Sequence, residues 1–369
     1  MLLIEIDRDG LLKPLQCVTG VVERRHTLPI LSNVLIEKTT DRLSFLATDL
    51  EIQISSQIAC GSAPADFSIT VSAKKLLDIC KALPENSKVR IEGDDSRIQI
   101  KAGKSRFNLQ TLPAQDFPKI VASVDTQTAV RVTQKNLKHC LNQVQYAMAQ
   151  QDIRYYLNGL LISVSGEVLT AVATDGHRLA LATTPLKQPC EAKEVILPRK
   201  TILELVKLLA ESDDEVLMEI SPNQVKLTFA DLTLVSKVID GKFPDFTKVV
   251  PVNYQNHIVL GRLALLQTLQ RAAILSNEKF RGVRLVLTSN SLRIICNNNE
   301  QEEAQEEVEI DYAGDSLDIG FNITYLLDVL NNLNTTEQID CAFGDANSSM
   351  LMTVPGQENF QYVVMPMRI

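Results

Sequence analysis

The sequence predicts an α+β protein built from three tandem domains, and three kinds of matching position predict it. Asn33 of SNVLIE, Gly159 of NGLLIS and Gly282 of RGVRLV stand 126 and 123 residues apart. Asp49 in ATDLEI, Asp175 in ATDGHR and Asn298 in CNNNEQ keep the same spacings, and Asp78, Glu204 and Asp328, in helical stretches, are 126 and 124 apart. Phe117-Pro118, Phe243-Pro244 and Met365-Pro366 each close a unit, with their prolines 126 and 122 apart. A period this long marks whole domains, since solenoid repeats run roughly 20 to 50 residues. The units fall at 1–125, 126–251 and 252–369, each large enough to bury its own core.

Within each unit the order is strand, helix, strands, helix, strands. In the first, MLLIEID is a short strand, Asp9 is placed to cap a helix over GLLKPLQCVTGVV, and Pro14 lies deep enough to bend it. SNVLIE, RLSFLAT and LEIQISSQIA read as strands, Ser72 is placed to cap AKKLLDICKAL, and VRIEG, RIQIKA and SRFNLQTL complete the unit. NLKHCLNQVQYAMA and PRKTILELVKLLA are the second pair of helices, with Pro198 suited to a first turn. RLALLQTLQRAAIL and NITYLLDVLNNLN are the third, the latter capped by Asn322. Two helices packed on antiparallel sheets thus recur three times.

With 45% apolar and 22% charged residues the composition is that of a globular protein. The start lacks a basic segment followed by a long apolar run, so no signal peptide, no membrane partner and a cytoplasmic location are expected. Seven scattered cysteines without a C-x-x-C pair read as reduced, mostly buried thiols. The net charge of −8 is uneven: Lys+Arg balance Asp+Glu in the first two units, at 16 and 16 and at 14 and 14, whereas the third has 7 against 15. Much of the excess lies in Glu300, Glu302, Glu303, Glu306, Glu307 and Glu309, and the first unit carries an opposing run of Arg97, Lys101, Lys104 and Arg106. These edges suit a head-to-tail contact, although charge runs are commonly solvated faces.

The helices carry basic residues beside their apolar stripes: Lys13, Lys74, Lys75, Lys81, Lys135, Lys138, Arg199, Lys200, Lys207, Arg262 and Arg271. If the helices faced one centre, a cationic wall would form inside an acidic protein, because a phosphate backbone responds to local field. Six helices at ~9–10 Å spacing leave a hole of roughly 7 Å, and twelve leave roughly 25 Å. A duplex is at least about 17 Å across. Two chains are therefore needed, joined unit one to unit three in a twofold ring.

The stretches HTLPILSNVL, QDIRYYLNGLL, AVATDGHRLA, VIDGKFPDF, RAAILSNEKFRGVRL and the terminal YVVMPMRI make the chain resemble the bacterial DNA polymerase III beta subunit, the sliding clamp, over its whole length. The resemblance implies three DNA-clamp-fold domains per chain and a ring-shaped head-to-tail homodimer with pseudo-sixfold symmetry. Its helices would line the inside, it would encircle double-stranded DNA without sequence preference, and it would tether the replicative polymerase. Implied partners are the polymerase III catalytic subunit, an ATP-driven clamp loader and other proteins with clamp-binding motifs. No cofactor, metal or catalysis is implied.

Carried over by position, the resemblance assigns DNA contact to Arg25, Gln151, Tyr155 and Tyr156. Arg24 beside Arg25 leaves open which guanidinium acts, and the tyrosines suit either DNA contact or packing at the unit's edge. A partner-peptide cleft maps to Leu157, Thr174, Gly176, His177, Arg178 and Leu179, to Pro244 and Val249, and to Ser349, Val363, Met365, Pro366, Met367 and Arg368. Methionine repacks readily around different peptides; read without the resemblance, VVMPMRI is a last core strand. The dimer seam maps to an apolar centre of Phe107, Leu109, Ile274 and Leu275, with Lys75, Arg97 and Arg106 facing Glu300, Glu302 and Glu303.

Two enzyme readings compete. His177 beside Asp175 has the makings of a base and its orienter, but no Ser or Cys stands in a nucleophile motif nearby, and the four histidines lack metal-ligand spacing. Gly103-Lys104-Ser105 matches the end of a phosphate-binding loop, yet Ile98 occupies the position that needs glycine. A ring of two chains favours the clamp, a monomer favours a peptide-binding scaffold, and turnover of a small molecule favours an enzyme.

Overall fold

The computed structural model describes residues 2–23, 28–60, 65–94, 96–123 and 128–369. The first repeat comprises β1 (Leu2–Asp7), α1 (Arg8–Val18), β2 (Asn33–Thr39), β3 (Arg42–Thr48), β4 (Ile52–Ala59), β5 (Phe67–Ser72), α2 (Ala73–Ala82), β6 (Lys88–Gly93), β7 (Arg97–Ala102) and β8 (Ser105–Leu112). The second comprises β9 (Thr128–Thr133), α3 (Gln134–Val144), β10 (Gly159–Thr174), β11 (Arg178–Pro198), α4 (Arg199–Leu208), β12 (Glu215–Ile220), β13 (Gln224–Phe229) and β14 (Leu232–Lys237). The third comprises β15 (Asn256–Gly261), α5 (Arg262–Ala272), β16 (Gly282–Thr288), β17 (Ser291–Asn297), β18 (Glu303–Glu309), β19 (Leu317–Asn322), α6 (Ile323–Asn332), β20 (Gln338–Phe343), β21 (Met350–Val354) and β22 (Gln357–Val364).

Two helices per repeat are present as the apolar spacing predicts. Leu11, Leu15 and Val18 form the buried stripe of α1, and Ile323, Leu326, Val329 and Leu330 that of α6. The caps differ in part from expectation. α1 begins two residues early, so Asp7 is its N-cap and Asp9 lies in the first turn, where a carboxylate still suits the helix dipole. The helix runs on through Pro14. Ser72 precedes α2 without a side-chain cap bond, whereas the Asn322 side chain accepts from the Thr324 N–H at 2.9 Å. Pro198 closes β11 and α4 starts one residue later.

A shared device ties the two helices of a repeat. The first residue of the first helix donates its backbone N–H to a carbonyl beyond the second: Arg8 to Ser87, Gln134 to Asp214 and Arg262 to Glu337, each at 2.8 Å. Its side chain then satisfies groups at the end of that helix, which otherwise lack intrahelical partners. Arg8 Nε donates to the Cys80 carbonyl at 2.9 Å, and Arg262 Nη1 to the Leu330 carbonyl at 2.8 Å. Arg262 is thereby committed, as is Arg271, whose guanidinium grips Glu306 at 2.7 and 2.8 Å. Glu306 offsets the charge of Arg271, whereas Arg262, bonded to backbone carbonyls, keeps its own.

By contacts the chain gathers into two compact units, 1–135 with 203–238 and 136–202 with 239–369. The first holds a 12-stranded sheet in the order β1-β6-β7-β8-β5-β2-β3-β4-β14-β13-β12-β9. The second holds a six-stranded sheet, β10-β11-β22-β21-β20-β15, and a four-stranded one, β18-β17-β16-β19. β10 spans the counterparts of β2 and β3, and β11 those of β4 and β5; register shifts on both sides of Gly166 mark where one half gives way to the next.

Each unit contains one junction between repeats, built in the same way. Residues 52–56 of β4 pair with 236–232 of β14, and residues 178–182 of β11 pair with 364–360 of β22. Just beyond the ladders Lys237 N–H donates to the Glu51 carbonyl, and Met365 N–H to that of His177, both at 2.9 Å. Met365 therefore corresponds to Lys237 and not to Phe243, which corrects the third of the sequence landmarks. The β21–β22 register shifts between Thr353 and Val354.

Candidate functional site

The second junction carries a groove of about 210 Å³. Four stretches of the second unit build it: Arg154, Tyr156 and Leu157 before β10, the 174–179 turn, Pro244 and Val249 after β14, and Val363 and Met365 at the chain end. Beneath them Leu161, Val172, Leu179, Ile196, Phe243 and Val363 form a buried apolar cluster, with Tyr156, Phe246 and Val249 packed against it. The floor is apolar because β10, β11 and β22 each turn alternate residues to this face.

The turn is fixed by its own polar atoms. Thr174 Oγ1 donates to the Arg178 carbonyl at 2.6 Å, and Asp175 Oδ1 accepts from the N–H groups of His177 and Arg178 at 2.9 and 3.1 Å. Gly176 sits at φ +90°, and a Cβ there would lie 2.9 Å from both terminal nitrogens of Arg154. Arg154 is itself held, donating to both Asp152 oxygens at 3.0 and 2.9 Å and to the Asp175 carbonyl at 3.2 Å. Those bonds pull the Asp152 carboxyl down to about 2.

Arg178 is only 9% exposed. Its Nε donates to Asp175 at 3.1 Å, Nη1 to Asp328 at 2.6 Å and Nη2 to the Tyr146 carbonyl at 2.8 Å. The guanidinium lies 4.4 Å from the Tyr325 ring centre. Burial opposes its charge, but Tyr362, Asp328 and Asp175 hold its pKa above the ordinary arginine value.

The structure gathers Leu157, Thr174, Gly176, Arg178, Leu179, Pro244, Val249, Val363 and Met365 into this groove. The other five predicted cleft residues stand apart from its lining. His177 is exposed at the turn, and Ser349 accepts a bond from the Tyr254 hydroxyl at 2.8 Å. Pro366 and Arg368 follow in the tail; Met367 N–H donates to Gly320 at 2.8 Å and Ile369 packs over Gly282 and Gly320. Arg154 and Tyr156 complete the lining; Arg154 is not among the residues expected from the sequence, and Tyr156 is expected there as a DNA contact. Of the DNA-contact candidates, Gln151 and Tyr155 are exposed, Tyr156 is half-buried in the groove wall, and Arg24 and Arg25 lie outside the described residues.

The seam candidates lie on β7, β8 and α2 in the first unit and on β18, the turn before it and the 273–275 helical turn in the second. In the first unit Phe107 and Leu109 are half-buried on β8 beside exposed Arg106, with Arg97 and Lys75 also exposed. β8 pairs with β7 along its length but meets β5 only at Leu112 and Thr111. In the second unit β18 is the outer strand of its sheet; Glu300, Glu302 and Glu303 are exposed at its start, Leu275 is half-buried and Ile274 is 78% exposed.

Neither enzyme motif assembles. The Asp175 carboxylate serves Arg178 and two backbone N–H groups, and Gly103-Lys104 forms the hairpin turn between β7 and β8 with Gly103 at φ +56°. No group of three or more His, Cys, Asp or Glu is placed to hold a metal among the described residues.

Repeated two-helix domains joined edge to edge, with one apolar groove at a junction, define the class of tandem clamp-fold proteins. The DNA polymerase III beta subunit family matches in three parts: its N-terminal domain at residues 2–121, its central domain at 131–245 and its C-terminal domain at 247–368. The chain belongs to that family. It is 47% identical to the beta sliding clamp of Pseudomonas putida over 366 residues, 99% of each chain, and 42% identical to that of Escherichia coli K12 over the same share. The crystal structure of the Pseudomonas aeruginosa sliding clamp bound to griselimycin superposes with a TM-score of 0.96 at 46% identity, covering both chains fully. The Caulobacter crescentus sliding clamp gives 0.91 at 39% identity over 99% of each chain.

Proposed function

We propose that two copies of this chain close head to tail into a ring around duplex DNA, tethering the polymerase III catalytic subunit for processive synthesis in the cytoplasm with no catalytic step of their own. The observation that carries this reading is the repeated junction. Three repeats in one chain make two junctions and leave one set of complementary edges, on β18 and β8, for a second chain.

The repeat also supplies the register. Asn298 N–H bonds to the Glu302 carbonyl at 3.1 Å as Asp49 N–H bonds to that of Ile52 at 3.2 Å, so Glu302 stands where Ile52 does. Gly103 at φ +56° and Ala230 at φ +47° open the turns before β8 and β14, so Ser105 stands where Leu232 does. Since Ile52 pairs with Ser236 and Ser56 with Leu232, Glu302 should face Leu109 of the partner, Ala304 should face Phe107, and Glu306 should face Ser105. Arg97, Arg106 and Lys75 then approach the glutamates at the seam, setting orientation and association rate, while Ile274 and Leu275 cover its apolar centre.

Closure makes tight local contact with DNA unnecessary, so weak, salt-screened contacts from Arg25, Gln151 and Tyr155 permit sliding. The cleft at the second junction receives peptide segments of the polymerase, of the clamp loader and of other clamp-binding proteins, one at a time. Retention tests the whole: the protein is loaded onto nicked circular DNA with a clamp loader and ATP, the circle is cut once, and both samples are sized. Retention on circles with release from linear DNA is expected; equal retention on both would overturn the ring.

A further inference from the structure

The first junction offers an internal comparison for the second. Its turn is built by the same bonds, with Thr48 Oγ1 donating to the Ile52 carbonyl at 2.9 Å and Asp49 Oδ1 accepting from the N–H groups of Glu51 and Ile52 at 2.9 and 2.8 Å. Yet Ile52 stands in the position of Arg178. Glu204 of α4 stands in that of Asp328, bonded to Lys207 at 2.7 Å, and Gly20 stands in that of Tyr146, with the Glu204 carboxylate against it. Among the described residues, turn and ladder therefore form there without a buried guanidinium. A buried charge is tolerated only when fully paired, and among the described residues that pairing is set up at the junction that carries the cleft.

We infer that Asp328 and Tyr325 on α6 are positioning residues of the cleft: they hold the Arg178 side chain in place, so that its stem forms a fixed part of the wall that meets a partner's peptide. The inference rests on the peptide-binding reading of that cleft. Asp328 fixes one end of the guanidinium and the Tyr146 carbonyl the other, and the Tyr325 ring covers its face at 4.4 Å. Tyr325 is anchored in turn, because the buried Tyr362 hydroxyl donates to its carbonyl at 2.9 Å. With its partners gone, a long flexible side chain would sample several rotamers, and ordering it on binding would weaken the complex.

The test is binding of the full-length protein to immobilised polymerase III catalytic subunit, with melting temperature and dimer content recorded for each variant. Asp328→Asn should weaken binding at least tenfold with the dimer intact. Tyr325→Leu, which leaves no charge unpaired, should weaken it severalfold. Arg178→Met with Asp328→Asn should be no weaker than Arg178→Met alone, because Asp328 acts through Arg178. Glu204→Gln, at the matching place in the first junction, should leave affinity unchanged. Wild-type affinity in both Asp328→Asn and Tyr325→Leu, or additive losses in the double variant, would overturn the inference. Undiminished binding by Leu179→Arg would instead remove the cleft reading, and this inference with it.

Discussion

Replacing Ile274 and Leu275 together by alanine should open the ring, and the size of the effect follows from exposure. Each change removes three carbons, worth ~0.8 kcal/mol apiece when buried. Ile274 is 78% exposed in the single chain, so nearly all of its value is available to a seam, about 2 kcal/mol. Leu275 is already half-buried and adds about 1 kcal/mol. A twofold ring contains the seam twice, so the dimer loses about 6 kcal/mol, or roughly four decades in dissociation constant. Sedimentation velocity over a concentration series reads this directly: the variant should run as a monomer at concentrations where the unaltered chain is fully dimeric. Circular dichroism should stay the same, since neither side chain belongs to the buried core. A variant that sediments as a dimer over the same range would refute the placement of the seam.

Gly176→Ala forces a left-handed residue at φ +90° and a methyl group 2.9 Å from the Arg154 guanidinium, so polymerase binding should fall about tenfold, the equivalent of ~1.4 kcal/mol; surface plasmon resonance checks it. His257 faces the Tyr254 carbonyl at 2.9 Å and Asp340 at 3.2 Å; burial favours its neutral ring, but these acceptors outweigh it and raise the pKa above 6.5. A raised folded-state pKa contributes stability below the unfolded value and loses it as pH rises through the folded one. Melting temperature should therefore fall by a small increment as pH rises from the unfolded value of 6.5 through the raised folded one, and His257→Gln should remove that increment. Burial pushes the thiols of Cys140 and Cys341 up to about 12, so iodoacetamide at pH 8 should label half-buried Cys17, Cys60 and Cys190 first; equal labelling by mass spectrometry would count against the packing.

Helix positions were legible because their apolar stripes recur at helical spacing, and α6 even shows its cap in Asn322. The cap of α1 was not, because Asp7 and Asp9 are both acceptable there and packing of Leu11 and Leu15 sets the start. β5 was missed because FSITVS is short and runs directly into a helix. At the cleft, the residues within the 174–179 turn could be placed from one motif. Arg154 could not, because its role depends on a bond to the Asp175 carbonyl, 21 residues away. The Arg178–Asp328 pair spans 150 positions and no local pattern points to it. Met365-Pro366 misled for a related reason: two dipeptides looked alike, but the backbone bonds to Glu51 and His177 align Lys237 with Met365 instead.

Tandem repetition explains both the sameness and the difference among the junctions. Backbone ladders depend little on side chains, so 52–56 with 232–236 and 178–182 with 360–364 form the same structure from different residues. Side chains are then free to diverge in use. Glu51, Ile52 and Gln53 give the first junction a turn whose Gln53 accepts from the Ile120 N–H at 2.7 Å, drawing the connecting segment onto the place where the second has its groove. Leu179 occupies the Gln53 position in the second junction and offers no such bond, so the segment after β14 folds away into the short helical turn at 246–248 and an apolar floor stays open. At the unsatisfied third set of edges, glutamates occupy the corresponding positions. Like charges would repel across a contact of β18 with its own copy, which fits the proposed pairing of β18 with the basic edge of β8.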